Sequence, residues 1–188
     1  MNKEIKSMIE ESAQTARLVN DALAPKIKEA ADLIIKALKS NKKILVAGNG
    51  GSASMSSHVA AEFVGRYKAE RKGFPCIALT SDTSVITAWS NDYAYEGIFE
   101  RQLQALGQKG DVFIALSTSG NSNNLLKGME FAKKNGIFLI SLLGKSGGRM
   151  KNKADIEMII PSDNTPRIQE AHLMILHIIC EIADKELR

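Results

Sequence analysis

Apolar positions along the chain fall into two rhythms. Through residues 3–22, Ile5, Met8, Ile9, Ala13, Ala16 and Val19 recur every three or four positions, the spacing of one helix face. A second helical pattern runs from about Pro25 to Lys39 through Ile27, Ala30, Ala31, Leu33, Ile34, Ala37 and Leu38. Pro25 takes a permitted first-turn position there. Two N-terminal helices are therefore expected ahead of any strand. They are more than one face of a sheet needs, so they pack either within the chain or on another subunit.

From Lys43 the rhythm changes. Short apolar runs at 43–47, 76–79, 112–116, 137–141 and 156–160 alternate with helical segments at about 52–66, 83–89, 95–106, 122–134 and 165–187. Several runs are continuously apolar, which means burial on both faces, the signature of a parallel sheet with helices on both sides. The expected fold is α/β: a five-stranded parallel sheet in a flavodoxin-like three-layer sandwich behind the two N-terminal helices. A length of 188 residues fits one domain, 1–188, with a substantial core.

Composition narrows the function classes. An apolar fraction of 44% and a charged fraction of 24% are ordinary for a soluble globular protein. The net charge of +4 is scattered, with no arginine-rich stripe interleaved with aromatics, so nucleic acid is not an expected partner. Cys76 and Cys180 form no CxxC pair and read as buried thiols of a reducing compartment. The segment Met1–Lys6 lacks the apolar core of a signal peptide, and no apolar run approaches the ~20 residues of a membrane span. A cytoplasmic location without membrane contact is expected.

Two turns stand out. Asn49-Gly50-Gly51-Ser52 follows the first strand and opens a helix; Ser117-Thr118-Ser119-Gly120-Asn121-Ser122 does the same after the third. Glycine lets a backbone approach a ligand closely, and a helix N-terminus offers free N–H groups to an anion. The second turn adds hydroxyls but no lysine, and the first lacks GxGxxG spacing, so neither is a nucleotide loop. A phosphate monoester suits the second turn; simple helix capping suits it equally.

His58 and Glu62 lie four apart, on one helix face near the first turn. Such a pair holds a metal, supplies an acid and a base, or is a surface ion pair. In the last helix His177 interrupts the apolar run 173–179, where an imidazole is either a core residue or a functional one; His172 has the same ambiguity. Gln169 and His177, eight residues apart, differ by ~12 Å of rise and about 80° in direction. One small ion cannot easily take both from a single helix, so a shared site implies different subunits.

Together these motifs resemble the sugar isomerase (SIS) domain family. They are Gly48-Asn49-Gly50-Gly51-Ser52, His58 to Tyr67, Asn91-Asp92-Tyr93, Ser117 to Ser122, and Arg167-Ile168-Gln169-Glu170 with His177 beyond. The resemblance spans almost the whole chain. It implies a homotetramer with active sites at subunit interfaces, and residues 1–40 as packing helices. It implies interconversion of D-sedoheptulose 7-phosphate and D-glycero-D-manno-heptose 7-phosphate, the first step toward nucleotide-activated heptose for lipopolysaccharide core or other surface glycans. It also implies one Zn²⁺ per subunit, with His58, Glu62, Gln169 and His177 as ligands. Substrate contacts fall on Asn49, Gly50, Gly51, Ser52, Glu62, Asn91, Asp92, Ser117, Thr118, Ser119, Ser122 and Gln169, and catalysis on Glu62 and His177. Met55, Ser57 and Pro166 depart from residues common in relatives, and none is given a role. A non-catalytic branch of the family binds a replication initiator. It lacks the acid and the histidine that this chain carries as Glu62 and His177.

Overall fold

The computed structural model describes residues 2–188; Met1, the first residue of the expected domain and of its leading segment, lies outside the described residues. The strands are β1 (Ile44–Gly48), β2 (Cys76–Ala78), β3 (Val112–Ser117), β4 (Phe138–Leu143) and β5 (Ile156–Ile159). All pair in parallel, in the spatial order β2-β1-β3-β4-β5. That is the flavodoxin-like order expected from the strand–helix alternation. β1 and β3 are buried along their whole length, as their continuous apolar runs require.

The helices divide between the faces. On one side, α1 (Asn2–Lys39), α2 (Gly51–Val64) and α6 (Thr165–Glu186) cover Ile44, Val46, Ile114, Leu116, Ile140 and Met158. On the other, α4 (Ile98–Leu106) and α5 (Asn123–Lys134) cover Leu45, Ala47, Phe113, Ala115 and Leu139. α3 (Thr83–Asp92), capped by the Asp82 carboxylate on the Val85 N–H at 3.0 Å, rides at the rim of this second layer through Ile86 and Trp89.

The N-terminal region corrects one expectation. Instead of two helices, residues 2–39 form one helix of 38 residues with Pro25 inside it. Proline removes one helical hydrogen bond, leaving the Asp21 carbonyl without its i+4 donor. Asp21 and Pro25 are both exposed, so water can serve that carbonyl and the helix continues. On both sides of the proline along the helix, a stripe of Val19, Leu23, Ile27, Ala30, Ile34 and Leu38, three or four apart, is buried in the core shared with α6 and the sheet. Before the stripe, residues 2–11 are exposed.

Candidate active site at the mouth of β1 and β3

β1 and β3 are neighbours, yet α2 leaves β1 for one face and α5 leaves β3 for the other. The crevice between two connections that diverge in this way is the usual ligand site of an open α/β sheet. Both turns noted in the sequence open onto it.

In the first turn Gly50 has φ 55° and ψ −123°, a backbone shape that disfavours any other residue. The start of α2 closes on its own backbone: the Ser52 and Ala53 N–H groups donate to the carbonyls of Asn49 and Gly50, each at 3.0 Å. Ser52 is buried, with its Cβ side turned to Gly48 beneath the turn. In the second turn the Ser117 hydroxyl accepts the Gly120 N–H at 3.0 Å and lies 3.4 Å from the Ser122 hydroxyl. Ser117 is buried; Thr118, Ser119 and Ser122 are half-buried. The Met150 N–H reaches the Gly120 carbonyl at 2.9 Å and braces the turn from the loop after β4. Asn91 and Asp92, at the exposed end of α3, are tied to each other at 2.9 Å.

α2 and α6 run side by side in the same direction, because Gly51 faces Gln169 and His58 faces His177. The Nε2 atoms of His58 and His177 are 2.9 Å apart, and the Glu62 Oε1 lies 3.4 Å from His58 Nε2. One donor atom from each of the three lies within 4.8 Å of the others. The cluster is open: His58 and Glu62 side chains are 47% and 22% exposed. The Tyr67 ring stands 6.0 Å from that of His177. Two imidazole nitrogens and a carboxylate are the donor set of a zinc site. Neighbouring ligand atoms in a tetrahedral shell of 2.0–2.1 Å are about 3.3 Å apart, close to the spacing seen. The residues present therefore fit a divalent metal.

Gln169 does not join that cluster. Its amide nitrogen would lie 2.5 Å from a Cβ placed on Gly51, so any side chain at position 51 would displace the end of Gln169. Gly51 is seven residues before His58, about 10 Å along the helix. The four ligands implied by resemblance thus divide within one chain into three and one.

His172 and His177 have opposite fates. His172 is buried, its Nε2 3.1 Å from the Leu143 carbonyl. The ring must donate there, leaving Nδ1 buried without a partner. Burial pushes its pKa down to about 4, against a smaller upward pull from the Leu143 bond, so it is a neutral core histidine. Both cysteines are buried, and loss of solvation pushes the Cys180 thiol up to about 12 and Cys76 upward as well.

A buried clamp holds the cluster's two helices together. The Arg71 guanidinium donates to the carbonyls of Glu62 at 2.9 Å and Phe63 at 3.0 Å, at the end of α2. It also pairs with Asp184 of α6 at 2.7 Å, the two side chains being 5% and 1% exposed. Burial raises the Asp184 carboxyl, but hydrogen bonds from Arg71 and Arg188 outweigh it and hold the pKa below the ordinary value. Neither Arg71 nor the Tyr95 and Asn124 side chains described below carried a spacing signal in the sequence.

A parallel sheet with its mouth at the divergence of β1 and β3 defines an open α/β fold with a ligand crevice. The SIS domain family model matches residues 8–144, and the chain belongs to that family. Among curated relatives, the phosphoheptose isomerase of Leptospira biflexa is 52% identical over 97% of this chain and 95% of its own length. That of Sulfurimonas denitrificans is 48% identical over 100% and 97%. The solved structure of a phosphoheptose isomerase from Francisella tularensis superimposes with a TM-score of 0.94 at 38% identity, covering 97% of both chains.

Proposed function

We propose that this chain is a phosphoheptose isomerase, which interconverts D-sedoheptulose 7-phosphate and D-glycero-D-manno-heptose 7-phosphate in heptose biosynthesis. The observation that carries this reading is the His58–Glu62–His177 cluster between α2 and α6, in a chain matched end to end by enzymes of that name. The replication-initiator-binding alternative lacks support, since both residues that distinguish the enzymes are here and adjacent.

Aldose–ketose isomerisation moves a proton between C1 and C2 through an enediol, and needs a base at carbon and an acid at oxygen. Glu62, a partly exposed carboxylate, is the base in this reading. His177, within reach of Glu62, carries the proton between the O1 and O2 oxygens. The hydroxyls of Thr118, Ser119 and Ser122, with the N–H groups that open α5, receive the phosphate. Asn49, Gly50, Gly51, Ser52, Asn91, Asp92, Ser117 and Gln169 shape the rest of the sugar site, Ser52 and Ser117 from beneath the turns. His58, Glu62 and His177 would hold a Zn²⁺, which when bound polarises the carbonyl oxygen. Gln169 serves the sugar beside Gly51, and reaches a metal only in a neighbouring copy's site.

We further infer a homotetramer, with α1 as packing helix. Met8 and Ile9 are 57% and 64% exposed, and a groove of about 390 Å³ between α1 and α6 is lined by Ile9, Ala13, Ala16, Ala171 and Met174. Exposed apolar surface of this kind marks an interface. No helix among the described residues is long and apolar enough to cross a membrane, which accords with a cytoplasmic enzyme.

The deciding experiment is isomerisation of sedoheptulose 7-phosphate by purified protein, before and after chelation and zinc readdition. Turnover lost and regained supports both enzyme and metal. Turnover indifferent to a chelator that has demonstrably stripped the protein keeps the enzyme and removes the metal from the reaction. Absence of turnover from folded, zinc-loaded protein overturns the reading.

A further inference from the structure

Three elements of the mouth meet at one side-chain amide. The Asn49 Oδ1 accepts from the Tyr95 hydroxyl at 2.9 Å and from the Asn124 Nδ2 at 2.8 Å. The Asn49 Nδ2 donates back to the Asn124 Oδ1 at 3.0 Å. That oxygen also accepts the Leu125 N–H at 2.9 Å, which fixes the way the Asn124 amide faces. Asn49 opens the turn after β1, Asn124 lies in the first turn of α5, and Tyr95 begins the 3-10 turn Tyr95–Gly97 just after Asn91 and Asp92. Asn124 is 3% exposed, whereas Tyr95 is 50% exposed.

The pattern has a chemical consequence. Both acceptor positions of the Asn49 carbonyl are filled, and one of its two N–H donors is engaged. Its amide cannot flip without setting NH2 against the Asn124 NH2 and oxygen against the Asn124 Oδ1. The remaining N–H is therefore presented as a donor of set direction. The Tyr95 hydroxyl, its proton directed at Asn49, also moors the segment carrying Asn91 and Asp92 to the Gly turn.

We propose that Tyr95 and Asn124 are positioning residues that orient the Asn49 amide and dock the Asn91–Asp92 segment, and so set affinity for the sugar phosphate. This rests on the isomerase reading above. Neither residue contacts the His58–Glu62–His177 cluster in the described hydrogen-bond network, so they act on binding and not on proton transfer.

The test is steady-state kinetics and direct calorimetric binding of sedoheptulose 7-phosphate to zinc-loaded wild type, Tyr95→Phe, Asn124→Asp, Asn49→Ala and the Tyr95→Phe/Asn49→Ala double variant. Tyr95→Phe keeps the ring and loses one neutral hydrogen bond, worth about a three- to tenfold rise in KM and Kd. The expected kcat changes less than twofold, with zinc affinity and melting temperature unmoved. Asn124→Asp still accepts from Leu125 and Asn49 but cannot donate to Asn49, and should raise KM similarly. In the Asn49→Ala background the Tyr95→Phe effect should vanish, because the two act through one contact. An unchanged KM in Tyr95→Phe overturns the proposal, as does an equal loss in the Asn49→Ala background, or a loss confined to kcat or stability. Wild type that binds the sugar phosphate without turning it over defeats the isomerase reading, while the Kd comparison still judges the positioning roles. Wild type that does not bind it defeats both.

Discussion

The turn after β1 and the turn after β3 have the same grammar: a buried strand, a tight bend with glycine, and an uncapped helix start. They differ in what packs on the helix that follows. α2 lies along α6, and the two helices bring His58, Glu62 and His177 together. α5 lies along α4 on the opposite face, where Leu103, Leu125 and Met129 close a dry layer and the turn keeps only hydroxyls and N–H groups. The helix after one turn thus carries a His–Glu–His cluster able to exchange protons or hold a metal, while the other turn presents hydroxyls and N–H groups of the kind that suit an anion. Identical local architecture acquires different chemistry from its tertiary neighbour.

The largest expected effect falls on the α2–α6 side. Glu62→Gln should lower kcat by about 10²–10⁴-fold, the range for a lost general base, while sugar-phosphate binding remains measurable. Near-normal turnover would break the division between the turns. Next is the clamp beneath that side. Arg71→Leu removes one partner of a buried ion pair, an effect of about 3–5 kcal/mol read from urea unfolding, and should weaken zinc binding because the Glu62 end of α2 loses its tie to α6. Unchanged stability would show that the two helices hold together without it.

A third test separates the two histidines of α6. The His172 pKa, about 4 when folded, lies below the unfolded value near 6.5. The unfolded chain therefore binds the proton first. The contribution is complete above pH ~6.5 and declines as pH falls toward 4, by on the order of 3 kcal/mol. Urea midpoints should drop between pH 7 and pH 5, and His172→Gln should flatten that slope, whereas His177→Gln should lower turnover. The smallest effect belongs to the β3–α5 turn. Ser119→Ala should raise KM by about three- to tenfold with kcat retained, the loss of one hydrogen bond to phosphate. A fall in kcat without change in KM would mean this turn joins in the chemistry.

Much of the architecture was legible in the chain. Continuously apolar strands require burial on both faces, so the parallel sheet and its helical layers followed from the pattern. The i, i+4 spacing put His58 and Glu62 on one face of α2, where they lie. Pro25 was less informative. A proline at a helix start and a proline at an exposed helix interior look alike until the exposure of the freed carbonyl is known. Tyr95, Asn49 and Asn124 were invisible as a group, since 46 and 75 residues separate their partners along the chain and no period connects them.

The order of elements, the two turns and the stock of reactive side chains were determined by sequence alone, because hydrophobic periodicity and glycine conformation are local properties. Which reactive groups meet was decided by tertiary structure. Five residues on α6 separate His172 from His177, a rotation of about 140° on the helix. That rotation buries one imidazole against the Leu143 carbonyl and sets the other against His58. The same parallel packing of α2 on α6 leaves Gln169 at Gly51, two turns away. The directions follow from the spacing along α6, but which partner each group meets depends on which face of α6 the sheet and α2 cover.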